Sequence, residues 1–175
     1  MTIDSLKKIA VVGTGTMGQG IAQLCATAGY QVLLYDAEFN AADAAVSAIK
    51  KNLDSAVAKN KLTTEQQASI LNRVSIISNF NQLQADLIIE AIVEQLDIKR
   101  KLFSSLQEIN SNYTVLASNT SSIYRTQIAS ALKRPERFAG LHFFNPAPLM
   151  KLVEIIRGAN TNSTTTDLLK KFSDS

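Results

Sequence analysis

His142 is the only histidine in the chain, and it stands in Phe138-Ala139-Gly140-Leu141-His142-Phe143-Phe144-Asn145-Pro146. A reaction that removes a hydroxyl proton needs a base, and an acid when it runs in reverse. Imidazole serves both directions because its ordinary titration range lies near neutral pH. Further along, Glu154 interrupts the apolar run Leu152-Val153-Glu154-Ile155-Ile156. This run is expected to be a central strand, where an unpaired charge is costly, so the carboxylate needs a partner. Bonded to one ring nitrogen of His142, it would fix the tautomer and stabilise the imidazolium formed on proton uptake. The same pattern allows a His142 satisfied in a core or loop, with Glu154 paired to Lys151 or Arg157.

A second constellation could hold an anion. Gly13-Thr14-Gly15-Thr16-Met17-Gly18 follows the strand-like run Ile9-Ala10-Val11-Val12 and opens a segment with Ile21, Leu24, Cys25 and Ala28 at helical spacing. In a strand–turn–helix context Gly13 permits the tight turn, Gly15 lets backbone approach a pyrophosphate, and Gly18 lets the helix pack close. The helix start then offers free N–H groups and a partial positive charge. The next strand-like run, Gln31 to Tyr35, ends at Asp36. That is near the roughly 20 residues expected between the motif and the acid that holds an adenosine ribose. A carboxylate there accepts from the ribose hydroxyls and repels a 2′-phosphate; with Ala37 next and no arginine, NAD is preferred to NADP. Asp36 as an ordinary turn or cap is the alternative. With a dinucleotide in place, the chemistry of His142 becomes hydride transfer between a hydroxyl carbon and a nicotinamide. A third cluster, Ser118-Asn119-Thr120-Ser121-Ser122, follows the run Thr114 to Ala117. Its hydroxyls could bond the substrate oxygen or the nicotinamide amide, or cap a following helix.

These residues hang on short β-rich runs that alternate with longer amphipathic segments: Ile9–Val12, Gln31–Tyr35, Val74–Ile77, Leu87–Ile92, Thr114–Ala117, Phe138–Phe143 and Leu152–Ile156. Most are apolar throughout, as strands covered on both faces are. The order predicts an α/β fold of Rossmann type, a doubly wound, mostly parallel sheet. Between the second and third strands, Asn40 to Asn72 reads as a helical hairpin. Val46, Ile49, Leu53 and Val57 recur at helical spacing, and Thr63 or Thr64 caps the second helix with Gln66 or Gln67. Its lysines, Lys50, Lys51, Lys59 and Lys61, read first as a solvated face. Thr164 to Ser175 begins a further helix through Leu168, Leu169 and Phe172.

With 46% apolar and 19% charged residues, the 175 residues suit one globular domain spanning 1–175. A net charge of +3 with scattered lysines argues against nucleic acid and leaves room for a polyanionic small molecule. Cys25 is the lone cysteine, so no disulfide framework is expected; with only His142 to add, neither is a metal site. No run is long enough to span a membrane, and Met1 to Lys8 is read as carrying no leader. The expectation is a soluble cytoplasmic protein.

From Lys8 to about Arg157 the chain resembles the NAD-binding domain of the L-3-hydroxyacyl-CoA dehydrogenases. The resemblance rests on Val12 to Ala22, Glu90-Ala91-Ile92-Val93-Glu94 with Lys99 beyond, Ser118 to Ser122, and His142-Phe143-Phe144-Asn145-Pro146-Ala147-Pro148. It implies that His142 is the catalytic acid/base, Glu154 its orienting partner, and Ser121 a contact to substrate and cofactor. It places Asp36, Glu94, Lys99 and Asn145 around NAD, and Lys59 at the CoA moiety. Asn52 stands where the family often has a CoA-contacting serine. The implied activity is reversible NAD-dependent oxidation of an L-3-hydroxyacyl-CoA to the 3-oxoacyl-CoA, in fatty-acid β-oxidation or related acyl-CoA metabolism. Family members continue into a helical domain that closes over the acyl chain and forms most of a homodimer interface. Without that domain the chain is expected to be a monomer or a non-native oligomer. The alternative function is an NAD-binding module with little turnover of its own.

Overall fold

The apolar runs become seven strands: β1 (Lys8–Val12), β2 (Gln31–Tyr35), β3 (Val74–Ile76), β4 (Leu87–Glu90), β5 (Val115–Ser118), β6 (Phe138–Phe143) and β7 (Val153–Arg157). A computed structural model describes residues 6–38, 40–150 and 152–175. Residues 1–5, which include most of the stretch read above as leaderless, and Lys151, one alternative partner for Glu154, lie outside the described residues. The strands form one sheet in the order β3-β2-β1-β4-β5-β6-β7. All neighbours are parallel except β6 and β7. This is the doubly wound Rossmann order with an antiparallel strand in last place.

Alternate residues of the strands feed two apolar layers. Ile9, Val11, Val32, Leu34, Leu87 and Ile89 pack on one side with α1 (Thr16–Thr27), α2 (Ala41–Ala58), α3 (Thr64–Leu71) and α6 (Ser163–Ser173). Ala10, Val12, Ile88 and Leu116 pack on the other with α4 (Leu96–Ile109) and α5 (Arg125–Ala129). Both faces are covered, which is why the strands read as continuous apolar runs. Phe103 of α4 meets Phe138 of β6 edge to face with centroids 5.0 Å apart, and both are fully buried. Burial contributes about 2–3 kcal/mol for each ring.

The hairpin between β2 and β3 forms as expected. Ala42, Ala45, Ile49 and Leu53 are its buried stripe, and Lys50, Lys51, Lys59 and Lys61 are exposed. Thr63 is the cap: Gln66 N–H donates to Thr63 Oγ1 at 3.2 Å while Thr63 N–H donates to Gln66 Oε1 at 2.8 Å. α6 docks on β6 and β7 through Leu168, Leu169 and Phe172, and Phe172 touches Tyr30 at 5.5 Å between centroids.

Glu154 does not sit in a central strand. β7 is the sheet's edge, pairing only with β6, and the Glu154 side chain is 51% exposed. The reason is loop length: only nine residues separate β6 from β7, and the described ones carry no helix, whereas a parallel return needs a crossover of about a dozen residues or more. The burial argument for a partner therefore fails, although the partner itself is found. Among the described residues no helix is long and apolar enough to cross a membrane.

Candidate active site

β1 and β4 are neighbours, and the chain winds away from them in opposite directions, which opens a crevice at their C-terminal ends. Gly13 ends β1 with φ +95°, and a Cβ there would lie 2.6 Å from the Ala91 carbonyl oxygen. A Cβ on Gly18 would lie 1.8 Å from the Gly13 carbonyl oxygen, so turn and helix meet only because both lack side chains. Gly15 differs: nothing lies within 4 Å of its missing Cβ, and the position faces an open cradle. α1 begins there with no side-chain cap and no acid in its first turn. Its first N–H groups, including those of Thr16 and Met17, and the positive end of its dipole are thus available to an anion.

The crevice is a groove of about 990 Å³ that runs from Asp36 past Gly15 to Val93 and Ile98. Asp36 follows β2 and is half-buried. Its Oδ2 accepts from Thr14 N–H and Thr14 Oγ1, both at 2.7 Å, and its Oδ1 from Glu38 N–H at 3.0 Å. Burial raises the Asp36 carboxyl, but these hydrogen bonds outweigh it and hold the group below its ordinary value. An ionised acceptor at one end of the groove and an anion cradle in its middle fit the ribose and pyrophosphate of a dinucleotide.

Past β4, the groove wall covers a buried ion network. Lys99 Nζ lies 2.6 Å from Glu90 Oε1 and 3.0 Å from Glu94 Oε2. Glu94 also accepts from the Thr120 hydroxyl and from Ser122 Oγ at 3.1 Å. Burial raises the Glu94 carboxyl; the Thr120 and Lys99 hydrogen bonds, the Lys99 charge and Ser122 more than reverse this, to about 2. The hydroxyl cluster is therefore not a helix cap, since α5 starts after Tyr124 without any side-chain cap. Thr120 and Ser122 serve Glu94 instead, and Arg125 Nη2 donates to the Thr120 carbonyl at 2.7 Å. Ser121, between them, is exposed and faces the second cavity.

That cavity, about 340 Å³, is lined by Ser121, His142, Asn145, Asn119, Glu94 and Lys99. It adjoins the groove, since Met17, Ala91 and Ile92 line both. His142 Nδ1 lies 3.0 Å from Glu154 Oε2, the two residues being register partners across β6 and β7. The Phe144 ring stands 4.7 Å from the imidazole, centroid to centroid. Arg157 is engaged elsewhere, donating to the Thr161 carbonyl. With the carboxylate on Nδ1, the other ring nitrogen is free to take or give a proton. Asn119 Oδ1 accepts from Phe143 N–H at 2.8 Å and so ties the β5 loop to the strand that carries His142.

The structure therefore brings Gly13, Gly15, Thr16, Met17, Gly18, Asp36, Glu94, Lys99, Ser121, His142, Asn145 and Glu154 to one edge of the sheet. Asn52 and Lys59 are elsewhere: both are exposed on the hairpin and line neither cavity, and Asn52 Nδ2 donates to Gln23 Oε1 at 3.2 Å. Glu90 and Thr14 escaped the sequence reading as individuals. Their signals were a carboxylate closing an apolar strand and a hydroxyl inside the glycine turn.

A family model described as the NAD binding domain of 3-hydroxyacyl-CoA dehydrogenase matches residues 8–175. The chain belongs to this family. NAD is accordingly its cofactor. Among its relatives, 3-hydroxyadipyl-CoA dehydrogenase of Escherichia coli K12 is 48% identical over 90% of the chain and 33% of its own length. The 3-hydroxybutyryl-CoA dehydrogenase of Clostridioides difficile is 45% identical over 96% of the chain and 60% of its own length. The crystal structure of 3-hydroxybutyryl-CoA dehydrogenase from Escherichia coli K12 superposes with a TM-score of 0.95 at 45% identity, covering 97% of the chain and 36% of that structure. The domain thus spans a third to three-fifths of the length of these relatives.

Proposed function

We propose that this domain serves the reversible oxidation of an L-3-hydroxyacyl-CoA to the 3-oxoacyl-CoA, in β-oxidation or related acyl-CoA metabolism in the cytoplasm. The observation that carries the reading is the His142–Glu154 pair, with His142 lining a cavity that adjoins the dinucleotide groove. Bound NAD supplies the hydride acceptor. His142 takes the substrate hydroxyl proton on its Nε2, and Glu154 holds the imidazole by Nδ1 and stabilises the positive charge it acquires. Ser121 bonds the reacting oxygen from across the cavity. Asp36 holds the adenosine ribose, the turn from Gly13 to Gly18 with Thr16 and Met17 holds the pyrophosphate, and Glu94, Lys99 and Asn145 surround the nicotinamide half. The relatives named for hydroxyadipyl-CoA and hydroxybutyryl-CoA support an acyl-CoA substrate. Lys59, just past the end of α2, and Asn52 within it are assigned to the CoA portion.

A second reading concerns the chain by itself. Leu149 and Leu152, on the loop beside the catalytic pair, are 75% and 53% exposed, as suits a site closed by a further helical domain that also makes a homodimer. On its own the chain then binds NAD better than it turns substrate over. Acetoacetyl-CoA reduction by NADH tests both readings, measured on the 175-residue chain and on the chain joined to a helical domain of the family. Turnover is expected in the joined protein. Its absence there would overturn the dehydrogenase assignment, and an equal rate in the chain alone would overturn the second reading.

A further inference from the structure

Glu90 has no part in the reaction above, yet among the described residues it is the only carboxylate in the core. It closes β4 at the switch point, register-paired with Val12 on one side and Ser118 on the other. Its Oε1 accepts from Lys99 Nζ at 2.6 Å and from Ile92 N–H at 2.7 Å, and its Oε2 from Ser118 Oγ at 2.6 Å. Lys99, only 1% exposed, uses a second of its three donors on Glu94 and still borders the cavity that holds His142. Glu94 in turn gathers the hydroxyls of Thr120 and Ser122, the two neighbours of Ser121.

We infer that Glu90 is a positioning residue for the nicotinamide half of the cofactor site, acting through Lys99. It holds the ammonium at a fixed point under the groove, the ammonium holds Glu94, and Glu94 holds the loop that presents Ser121. A buried ion pair is weak evidence for stability, because the desolvation of both charges offsets their attraction. Two apolar side chains would join β4 to α4 as well. They would leave Glu94 without a cation and the Ser121 loop without its anchor, so the geometry of the loop is what the pair secures. The inference rests on the proposed function in taking this end of the groove as the nicotinamide end.

The test compares a probe that fills the whole groove with one that stops at the pyrophosphate. NADH is titrated by its own fluorescence, which no tryptophan complicates since the chain has none, and ADP is measured by calorimetry. Glu90→Gln keeps shape and acceptor while removing charge. It is expected to raise the NADH Kd about tenfold and leave the ADP Kd within about twofold. In the Lys99→Met background the same substitution should add nothing, because the route through Lys99 is already cut. Ser118→Ala, a milder change that removes one donor to Glu90, should weaken NADH about threefold with ADP unaffected, and carries the test if Glu90→Gln fails to fold. Unchanged NADH affinity, equal losses for NADH and ADP, or additive losses with Lys99→Met would each overturn the inference. NADH binding by the parent chain, measured first, tests the cofactor site separately.

Discussion

His142 and Glu154 are opposite residues in the β6–β7 ladder, and their side chains leave the same face of the sheet to meet at 3.0 Å. The pair is a product of strand register: a slip by one residue would send Glu154 to the far face. Because half of the Glu154 side chain is exposed, water can replace part of its role, whereas His142 is the cavity's one imidazole. In a protein competent for turnover, His142→Gln should lower kcat by roughly 10² to 10⁴, and Glu154→Gln by roughly 10 to 10². NADH affinity should stay nearly constant in both. Normal kcat in either variant would remove the pair from the mechanism.

Two of the motif glycines should fail in different ways. Gly18→Ala places a methyl 1.8 Å from backbone, so turn or helix must move; a loss of about 2–3 kcal/mol is expected, roughly 5–10 °C in Tm. Gly15→Ala meets nothing in the protein and should leave Tm within about 2 °C while weakening NADH about tenfold or more, by filling the cradle. Thermal unfolding beside NADH titration separates the two. A Gly15→Ala protein that binds normally would show that no ligand backbone approaches this point.

Asp36 is held ionised by Thr14 of the glycine turn and by Glu38 N–H of its own loop. A fixed negative charge there should favour NADH over NADPH, the latter carrying a 2′-phosphate. Asp36→Asn keeps the size and removes the charge. The expected result is an NADH affinity lower by about tenfold and a narrower NADH/NADPH ratio. A ratio unchanged by the substitution would place the adenosine ribose elsewhere.

How much of this was readable from the chain depends on how far each feature reaches in sequence. The turn from Gly13 to Gly18 and the strand ending at Asp36 are set by neighbours a few residues away, so spacing alone marked them. The two-layer core was legible because strands covered on both faces are apolar throughout. Glu154 was misplaced into a central strand because an edge antiparallel strand and a buried parallel one can share the pattern Leu-Val-Glu-Ile-Ile. Only the short loop 144–152 distinguished them. Glu90 looked like part of an apolar run because its partners, Lys99 and Ser118, arrive from a helix and a strand that the fold alone brings together. The family resemblance marked Ser121 within its cluster; what leaves it free for the cavity, Glu94 claiming Thr120 and Ser122 on either side, appears only in three dimensions.

Glu94 gives the network a signature in acid. Its carboxyl is raised by burial, then brought down from 4.5 to about 2 by Thr120, Lys99 and Ser122. A folded-state value below the unfolded one means that the ionised group stabilises the fold fully above about pH 4.5, and that this contribution drains away as pH falls toward about 2. Glu94→Gln removes the titration. The stability gap between parent and variant, from urea unfolding, should therefore be flat from pH 7 to 5 and shrink between about pH 4.5 and 3. Asp36, also shifted downward, acts with the same sign but is present in both proteins and cancels in the difference. A gap that stays constant down to pH 3 would mean that Lys99 and the two hydroxyls do not hold Glu94 ionised, and the chain of contacts from Glu90 to Ser121 would lose its middle link.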